Sequence, residues 1–154
     1  MRRMNRASSF MVAGACLCLA AAGARPALSQ QAASPAATPT LDYEFFKSKV
    51  QPVFLAKRAG HARCVVCHTV NNAPFHLVAL SAGATTWNEE QSRRNFELVQ
   101  KVVVPGYDGS KLVSHPLAEE VGGDPHHGGG QQFTSKDDPD WATLKAFVLG
   151  AKLR

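Results

Sequence analysis

The sequence of 154 residues predicts an all-α domain over residues 41–154. Three stretches carry apolar residues at intervals of three and four, the spacing that places them on one face of a helix. Prolines and glycines separate these stretches, whereas no stretch alternates apolar and polar residues as a half-buried strand does, and no repeat occurs. After removal of the export signal that is predicted at the N-terminus, about 125 residues remain, which is enough for one domain with one core.

Residues 1–29 are predicted to be a cleaved secretory signal. Three arginines lie among the first six residues, and an apolar run of 13 residues follows at 10–22. A membrane-spanning helix needs about 20 apolar residues, so we expect cleavage rather than anchoring. Ala27-Leu28-Ser29 offers small residues for the peptidase; cleavage after Ala24 and lipid attachment at Cys16 are alternatives. The expected location is the bacterial periplasm or the outside of the cell.

Removal of this signal changes what the composition means. Cys64 and Cys67 become the only cysteines, so structural disulfides are not expected. Lys plus Arg falls from 17 to 13 against 12 acidic residues, which lowers the formal charge from +5 to +1. That balance gives no argument for binding nucleic acid. All three methionines also lie within the signal, and the mature chain therefore has none.

Residues 30–40 are predicted to be a disordered linker, because they are rich in Ala, Pro, Ser and Thr without periodic apolar residues. The first helical stretch follows at 41–57, and Pro52 is expected to divide it into two short helices. Five residues form its apolar face: Phe45, Phe46, Val50, Val53 and Phe54.

The most specific feature is the pentapeptide Cys64-Val65-Val66-Cys67-His68, a C-x-x-C-H sequence typical of c-type haem attachment. The two thiols match the two vinyl groups of the porphyrin, and the histidine supplies a nitrogen ligand to the iron. A C-x-x-C pair also occurs in thioredoxin-like proteins and in zinc sites. The chain has neither a βαβ pattern nor a second cysteine pair in its mature part. We therefore predict one covalent haem c bound by Cys64, Cys67 and His68.

A loop and a second helix are predicted after this motif. Residues 71–84 are predicted to form a loop, because Pro74 and Gly83 interrupt regular secondary structure. Three apolar residues of this loop are expected to pack on the haem edge or the core: Phe75, Leu77 and Leu80. Thr86 and Glu89 fit a capping box, and the helix is predicted to end near Val103.

A long loop rich in glycine and histidine is predicted at 107–135. Glycines allow the backbone to approach a porphyrin closely, so this loop is expected to cover one face of the haem; metal binding by its histidines is an alternative. The last helix is predicted to begin after Asp138 as N-cap and to end near Leu149, with Gly150 as its stop. Its apolar face contains Trp141, Leu144, Phe147 and Val148.

This order of elements resembles the class I cytochrome c domain, over residues 41–153. The segments 110–117, 127–130 and 137–141 are similar to exported monohaem domains that accompany large secreted proteins of planctomycetes and acidobacteria. The resemblance implies a cytochrome c-like fold in which the first and last helices cross near the haem edge. The usual domain supplies a distal methionine, which the mature chain lacks. A low-potential or ligand-binding haem is therefore expected in place of the usual His/Met carrier.

The second axial ligand is expected to be a histidine or no residue, since methionine is absent. His61 and His76 are too close to His68 along the chain to pass round the haem edge. His127 is preferred because it lies in the glycine-rich tract and matches the His-Gly-Gly segment of the similar domains. His115 is the alternative, and plain solvated loop histidines are the third outcome.

Electron transfer between redox protein partners is the predicted function, because a cytochrome needs no catalytic residues. An open-site haem protein that reacts with peroxide or senses a gas is one alternative, and a haem subunit of a larger secreted oxidoreductase is another. The sequence offers no paired carboxylates, Ser/His/Asp set or phosphate-binding loop for other chemistry. Neither a nucleic-acid partner nor a membrane-spanning segment after signal cleavage is expected.

Overall fold

The computed structural model describes residues 38–70 and 75–154 of the chain. The regular secondary structure in these ranges is helical. Their only β-type pairing is an isolated bridge between Leu117 and Phe133. The all-α prediction is confirmed for this part of the chain. The predicted signal at 1–29 and the linker up to residue 37 lie outside the described residues.

The described ranges contain six α-helices: α1 Tyr43–Phe45, α2 Gln51–Leu55, α3 Cys64–His68, α4 Glu89–Gln100, α5 Lys111–Ser114 and α6 Pro139–Val148. A π-helical segment, Phe46–Val50, joins α1 to α2, and a 3-10 turn, Glu119–Val121, follows α5. Among the described residues, no helix has the length and apolar character needed to cross a membrane.

The first helical run, 43–55, contains the two short α-helices that were predicted, with Pro52 in the first turn of the second, but a π-helical segment joins them without a break. The backbone widens before the proline, where the Gln51 N–H donates to the Phe46 carbonyl five residues earlier. In a regular α-helix the proline ring would collide with the carbonyl four residues before it, and the π-helical turn relieves that collision. The apolar face therefore stays continuous, with these residues buried: Phe46, Val50, Val53 and Phe54.

The N-terminus of α4 is capped by Asn88, two residues after the predicted cap. The Asn88 side chain accepts from the Gln91 N–H at 2.9 Å, and the Gln91 side chain accepts from the Asn88 N–H at 3.1 Å. Thr86 and Glu89 do not form the predicted box, because the buried Trp87 still belongs to the preceding loop. The motif type was correct, but its position was wrong.

The last helix follows the prediction closely. The Asp138 carboxylate accepts from the Asp140 and Trp141 N–H groups at 2.9 and 3.2 Å, and Gly150 ends the helix with a φ of 89°. The four predicted inward residues of α6 are buried. By contrast, α4 ends at Gln100 rather than near Val103.

Aromatic packing joins the first helical run to α4 and α6. The Phe46 ring lies 5.7 Å from the Phe147 ring and 5.4 Å from the Phe96 ring, measured between centroids. Phe46 and Phe147 are fully buried. Contacts between aromatic rings at these distances add to the stabilisation from burial, so the three segments share one core.

The predicted irregular loop at 107–135 contains regular structure, which corrects that part of the prediction. α5 forms there because Leu112 and Val113 are buried. The Ser110 hydroxyl accepts from the Val104 N–H and donates to the Val104 carbonyl, at 2.9 and 3.0 Å. The Trp141 indole N–H donates to the Val113 carbonyl at 3.1 Å, and this bond fixes α5 against α6.

The end of the predicted linker is attached to the C-terminal part of the domain. The Lys152 ammonium donates to the Thr40 carbonyl and to its hydroxyl oxygen, at 2.8 and 2.9 Å. Pro39 lies against Gly106 and Gly150, so closely that a Cβ on Gly150 would come within 2.6 Å of the proline Cβ. Residues 39 and 40 therefore have a defined position beside the end of α6.

Arg58 connects the loop before α3 to the N-terminus of α6. Its guanidinium donates to both Asp138 carboxylate oxygens, at 2.9 and 3.2 Å, and to Asp140. The guanidinium also lies 4.4 Å from the centroid of the Phe133 ring. Burial opposes ionisation of Asp138, but Arg58 and two backbone N–H groups outweigh it and hold the pKa of this carboxyl below its usual value.

We expect Arg58→Leu to lower the free energy of unfolding by about 2 kcal/mol, because a partly buried carboxylate loses its charged hydrogen-bond donor. Arg94→Leu is the matched control. Arg94 pairs with Glu97 on the exposed face of α4, and such pairs contribute about 0.5 kcal/mol or less. Chemical denaturation of both variants makes the comparison, and equal losses would contradict the role assigned to Arg58.

Candidate haem site

Helix α3 places the three motif side chains on one face. Cys64, Cys67 and His68 occupy positions i, i+3 and i+4 of this five-residue helix, and residues at these spacings are neighbours on a helical surface. Cys64 is half-buried and Cys67 is exposed. Burial raises the pKa of the Cys64 thiol. The motif thus presents two thiols and an imidazole toward a common region.

That region is a cavity of about 830 Å³, within the range of roughly 300–1,000 Å³ that is usual for small-molecule and cofactor sites. The motif forms one part of its wall, and the loop at 107–135 forms another. Apolar side chains contribute much of the remainder: Phe54, Phe75, Leu112, Phe133 and Leu144. The lining also includes Arg63, Lys101 and Lys111, and none of the described lining residues is acidic.

The orientation of His68 is set by the Phe75 carbonyl, which lies 2.8 Å from Nδ1 of the imidazole. A carbonyl only accepts hydrogen bonds, so Nδ1 carries the proton and Nε2 carries the lone pair in the neutral ring. Burial is the main cause that lowers the pKa of His68 below its ordinary value. The ring is therefore neutral at neutral pH, as a metal ligand must be.

Side chains of the α4 region fix the segment that carries this carbonyl. The Val78 N–H donates to Asn95 Oδ1 at 2.7 Å, and the Trp87 indole donates to the Val78 carbonyl at 2.7 Å. Such outer contacts commonly orient the ligands of metal sites. Asn95 was not predicted from the sequence. The sequence feature that could have identified Asn95 is its position four residues before the apolar Val99, which places a polar residue on the inward face of α4.

Backbone pairing at Phe133 closes the loop that carries the remaining histidines. The Phe133 N–H donates to the Pro116 carbonyl at 3.1 Å, and the Ala118 N–H donates to the Phe133 carbonyl at 2.8 Å. Phe133 itself is buried, with a relative exposure of 1%. The pairing closes the chain between residues 118 and 133. His127, which lies within this closed segment, therefore faces the cavity across from the motif.

His127 lies opposite His68. Their ring centroids are 6.3 Å apart and the ring planes differ by 18°. Nδ1 of His127 bonds to the Gly130 carbonyl at 2.5 Å, so the neutral form of this ring carries its lone pair on Nε2.

His115 lies beside His127, with 5.1 Å between ring centroids. Its Nδ1 is 2.8 Å from the Asp124 carboxylate. That carboxylate also accepts from the Lys111 ammonium and from the His126 N–H. The bond from Lys111 is the largest of the causes that lower the pKa of Asp124. Asp124 was not predicted from the sequence, since no periodic pattern connects it to His115.

The structure thus brings all five predicted site residues to one cavity: Cys64, Cys67, His68, His115 and His127. His126 also contributes to the lining, whereas His61 and His76 are half-buried elsewhere. For the alternative of a metal site built from protein ligands alone, the described residues contain no group of three or more His, Cys, Asp or Glu side chains placed to hold an ion.

Comparison of the chain with family models, with curated proteins and with solved structures finds no match.

Gly123→Ala should disrupt the loop that carries His127. A Cβ at Gly123 would lie 1.9 Å from the Leu117 carbonyl oxygen, and overpacking against fixed backbone costs about 3 kcal/mol or more. Gly122→Ala is the matched control. It meets only the flexible end of Lys136 at 3.5 Å, so its cost is the left-handed φ of 89°, about 1–2 kcal/mol.

The thermal midpoints of both variants test this steric argument. We expect the midpoint to fall substantially further for Gly123→Ala than for Gly122→Ala. A similar decrease in the two variants would show that backbone conformation, and not the close approach to Leu117, makes glycine necessary there.

Proposed function

We propose that this chain is an exported c-type cytochrome of the class I kind, which binds one haem covalently and transfers single electrons between redox proteins. The observation that carries the proposal is the shared cavity, where the Cys64, Cys67 and His68 side chains of α3 face histidines from a distant loop. The C-x-x-C-H sequence supplies the covalent attachment. Periplasmic or extracellular location rests on the predicted signal at 1–29.

The size and chemistry of the cavity fit a haem. Its lining is mainly apolar, as the porphyrin requires, and two cysteines lie at its wall. A haem also carries two propionate groups. The cationic lining residues Arg63 and Lys101, without an acidic residue among the described lining, suit those two negative charges. Volume, polarity and charge therefore support the same cofactor.

His68 and His127 would hold the iron of a bound haem. Each ring has its Nδ1 bonded to a backbone carbonyl, of Phe75 and Gly130 respectively. This contact fixes the tautomer and leaves Nε2 for the metal, the arrangement usual for ligating histidines. Because methionine is the axial ligand that raises the potential of cytochromes c, two histidines should give a lower potential.

The protein's part in this function is to hold and shield the cofactor. A bound haem supplies one-electron redox chemistry through its iron, so the chain needs no acid, base or nucleophile. Phe54, Phe133 and Leu144 line the cavity and are buried, which excludes water from that side. Val70 and Val104 also line the cavity but are about half exposed, so a redox partner has access to the other side.

Covalent attachment gives the first test of this proposal. The protein, produced with a haem-attachment system, should remain coloured after acid–acetone extraction and have a mass one haem above that of its polypeptide. Cys64→Ala/Cys67→Ala should lose the colour on extraction because no thioether can form. A wild-type protein that releases all its colour would contradict covalent binding.

The spectrum of the oxidised protein tests the ligands. With His68 and a second histidine on the iron, we expect a low-spin, six-coordinate spectrum and a midpoint potential below that of His/Met cytochromes. Arg94→Leu is the control and should leave both unchanged, since Arg94 pairs with Glu97 on the exposed face of α4 and does not line the cavity. A high-spin wild type that binds cyanide at low concentration would instead indicate an open iron position.

A further inference from the structure

Two histidines, not one, face the motif from the opposite side of the cavity. The rings of His115 and His127 are 5.1 Å apart, closer together than the 6.3 Å between His127 and His68. Both residues line the cavity. One axial position therefore has two imidazoles near it, although a six-coordinate haem iron can accept only one of them on that side.

The supports of the two rings differ. Within the described residues, the hydrogen bond from the His127 side chain goes to Gly130, three residues later in the same turn. The preceding and following residues His126 and Gly128 are exposed. His127 is thus held by its own loop, and a change confined to that loop would move the ring away from His68.

His115 directly follows α5, which the Trp141 indole holds against α6. Its Nδ1 bonds to Asp124, a carboxylate that also accepts from Lys111 and from the His126 N–H. The Asp124 N–H in turn donates to the Ser114 carbonyl at 2.9 Å. A histidine whose Nδ1–H is donated to a carboxylate has its other nitrogen available, and carboxylate partners of this kind increase the basicity of ligating imidazoles.

We infer that His115 is a second distal ligand, positioned by Asp124, which binds the iron when His127 leaves it. This inference rests on the proposed function, because it concerns the same axial site. His127 is the resting ligand in this scheme, because its ring lies 6.3 Å from that of His68 and nearly parallel to it. Exchange between the two would let the protein keep a six-coordinate iron while its distal loop changes position.

Spectroscopy of three oxidised variants tests this inference. His127→Ala should remain low-spin, with altered electron paramagnetic resonance g values and a shifted midpoint potential, because His115 replaces the lost ligand. His115→Ala should keep the wild-type spectrum. His127→Ala/His115→Ala should lose the low-spin signals completely, and added imidazole should restore them, which shows that the cavity is still folded.

The role of Asp124 as a positioning residue has its own readout. In the wild-type background Asp124→Asn should stay low-spin, since His127 holds the iron. In the His127→Ala background the same substitution should weaken ligation by about 10–100-fold, as loss of an outer-shell partner typically does. That weakening would appear as a large high-spin fraction. No difference between the two backgrounds would overturn the positioning role.

Other outcomes separate this inference from the proposed function. If His127→Ala alone becomes fully high-spin, His115 is not a second ligand, and bis-histidine ligation by His68 and His127 still stands. If His115→Ala becomes high-spin while His127→Ala keeps the wild-type spectrum, His115 is the resting ligand and the inference is overturned. A wild type that is already high-spin contradicts the bis-histidine proposal itself.

Discussion

The arrangement of the site depends on the short backbone pairing at Phe133. Hydrogen bonds to Pro116 and Ala118 close the chain between these points, and closure returns His127 to the cavity that α3 borders. Two bonds are a weak constraint by themselves, but Phe133 is also buried beneath the Arg58 guanidinium. Since Arg58 is bound to the N-terminus of α6, the loop closure is connected to the central packing of the domain.

Much of this architecture was predictable from local sequence rules, and the errors have specific physical causes. The N-cap at Asp138 and the stop at Gly150 were found because both act through their own side chain or backbone conformation. The helix restart at Pro52 was predicted, but the π-helical link before it was not, because a proline clash can be relieved by a wider turn as well as by a helix end. The predicted cap of α4 was two residues too early, because the burial of Trp87 overrides the capping propensity of Thr86.

In the site, the residues that line the cavity were predictable to a different extent from the groups that orient them. The C-x-x-C-H motif and the glycine-rich tract identified the two cysteines and three histidines that share the cavity, since their chemistry is visible in the residue types. The groups that orient them were not predictable. Phe75 and Gly130 act through backbone carbonyls, which carry no side-chain signal, and Asp124 meets His115 only through the folding of its loop.

The contact between Lys152 and Thr40 brings the two ends of the helical domain together on one surface. Domains whose ends meet in this way can be placed within a surface loop of another protein without stretching either connection. The cavity residues lie between 54 and 144 along the chain, so neither junction would interrupt them. The same helical unit is therefore suited to use as an inserted module, with its cavity intact in the middle of a longer polypeptide.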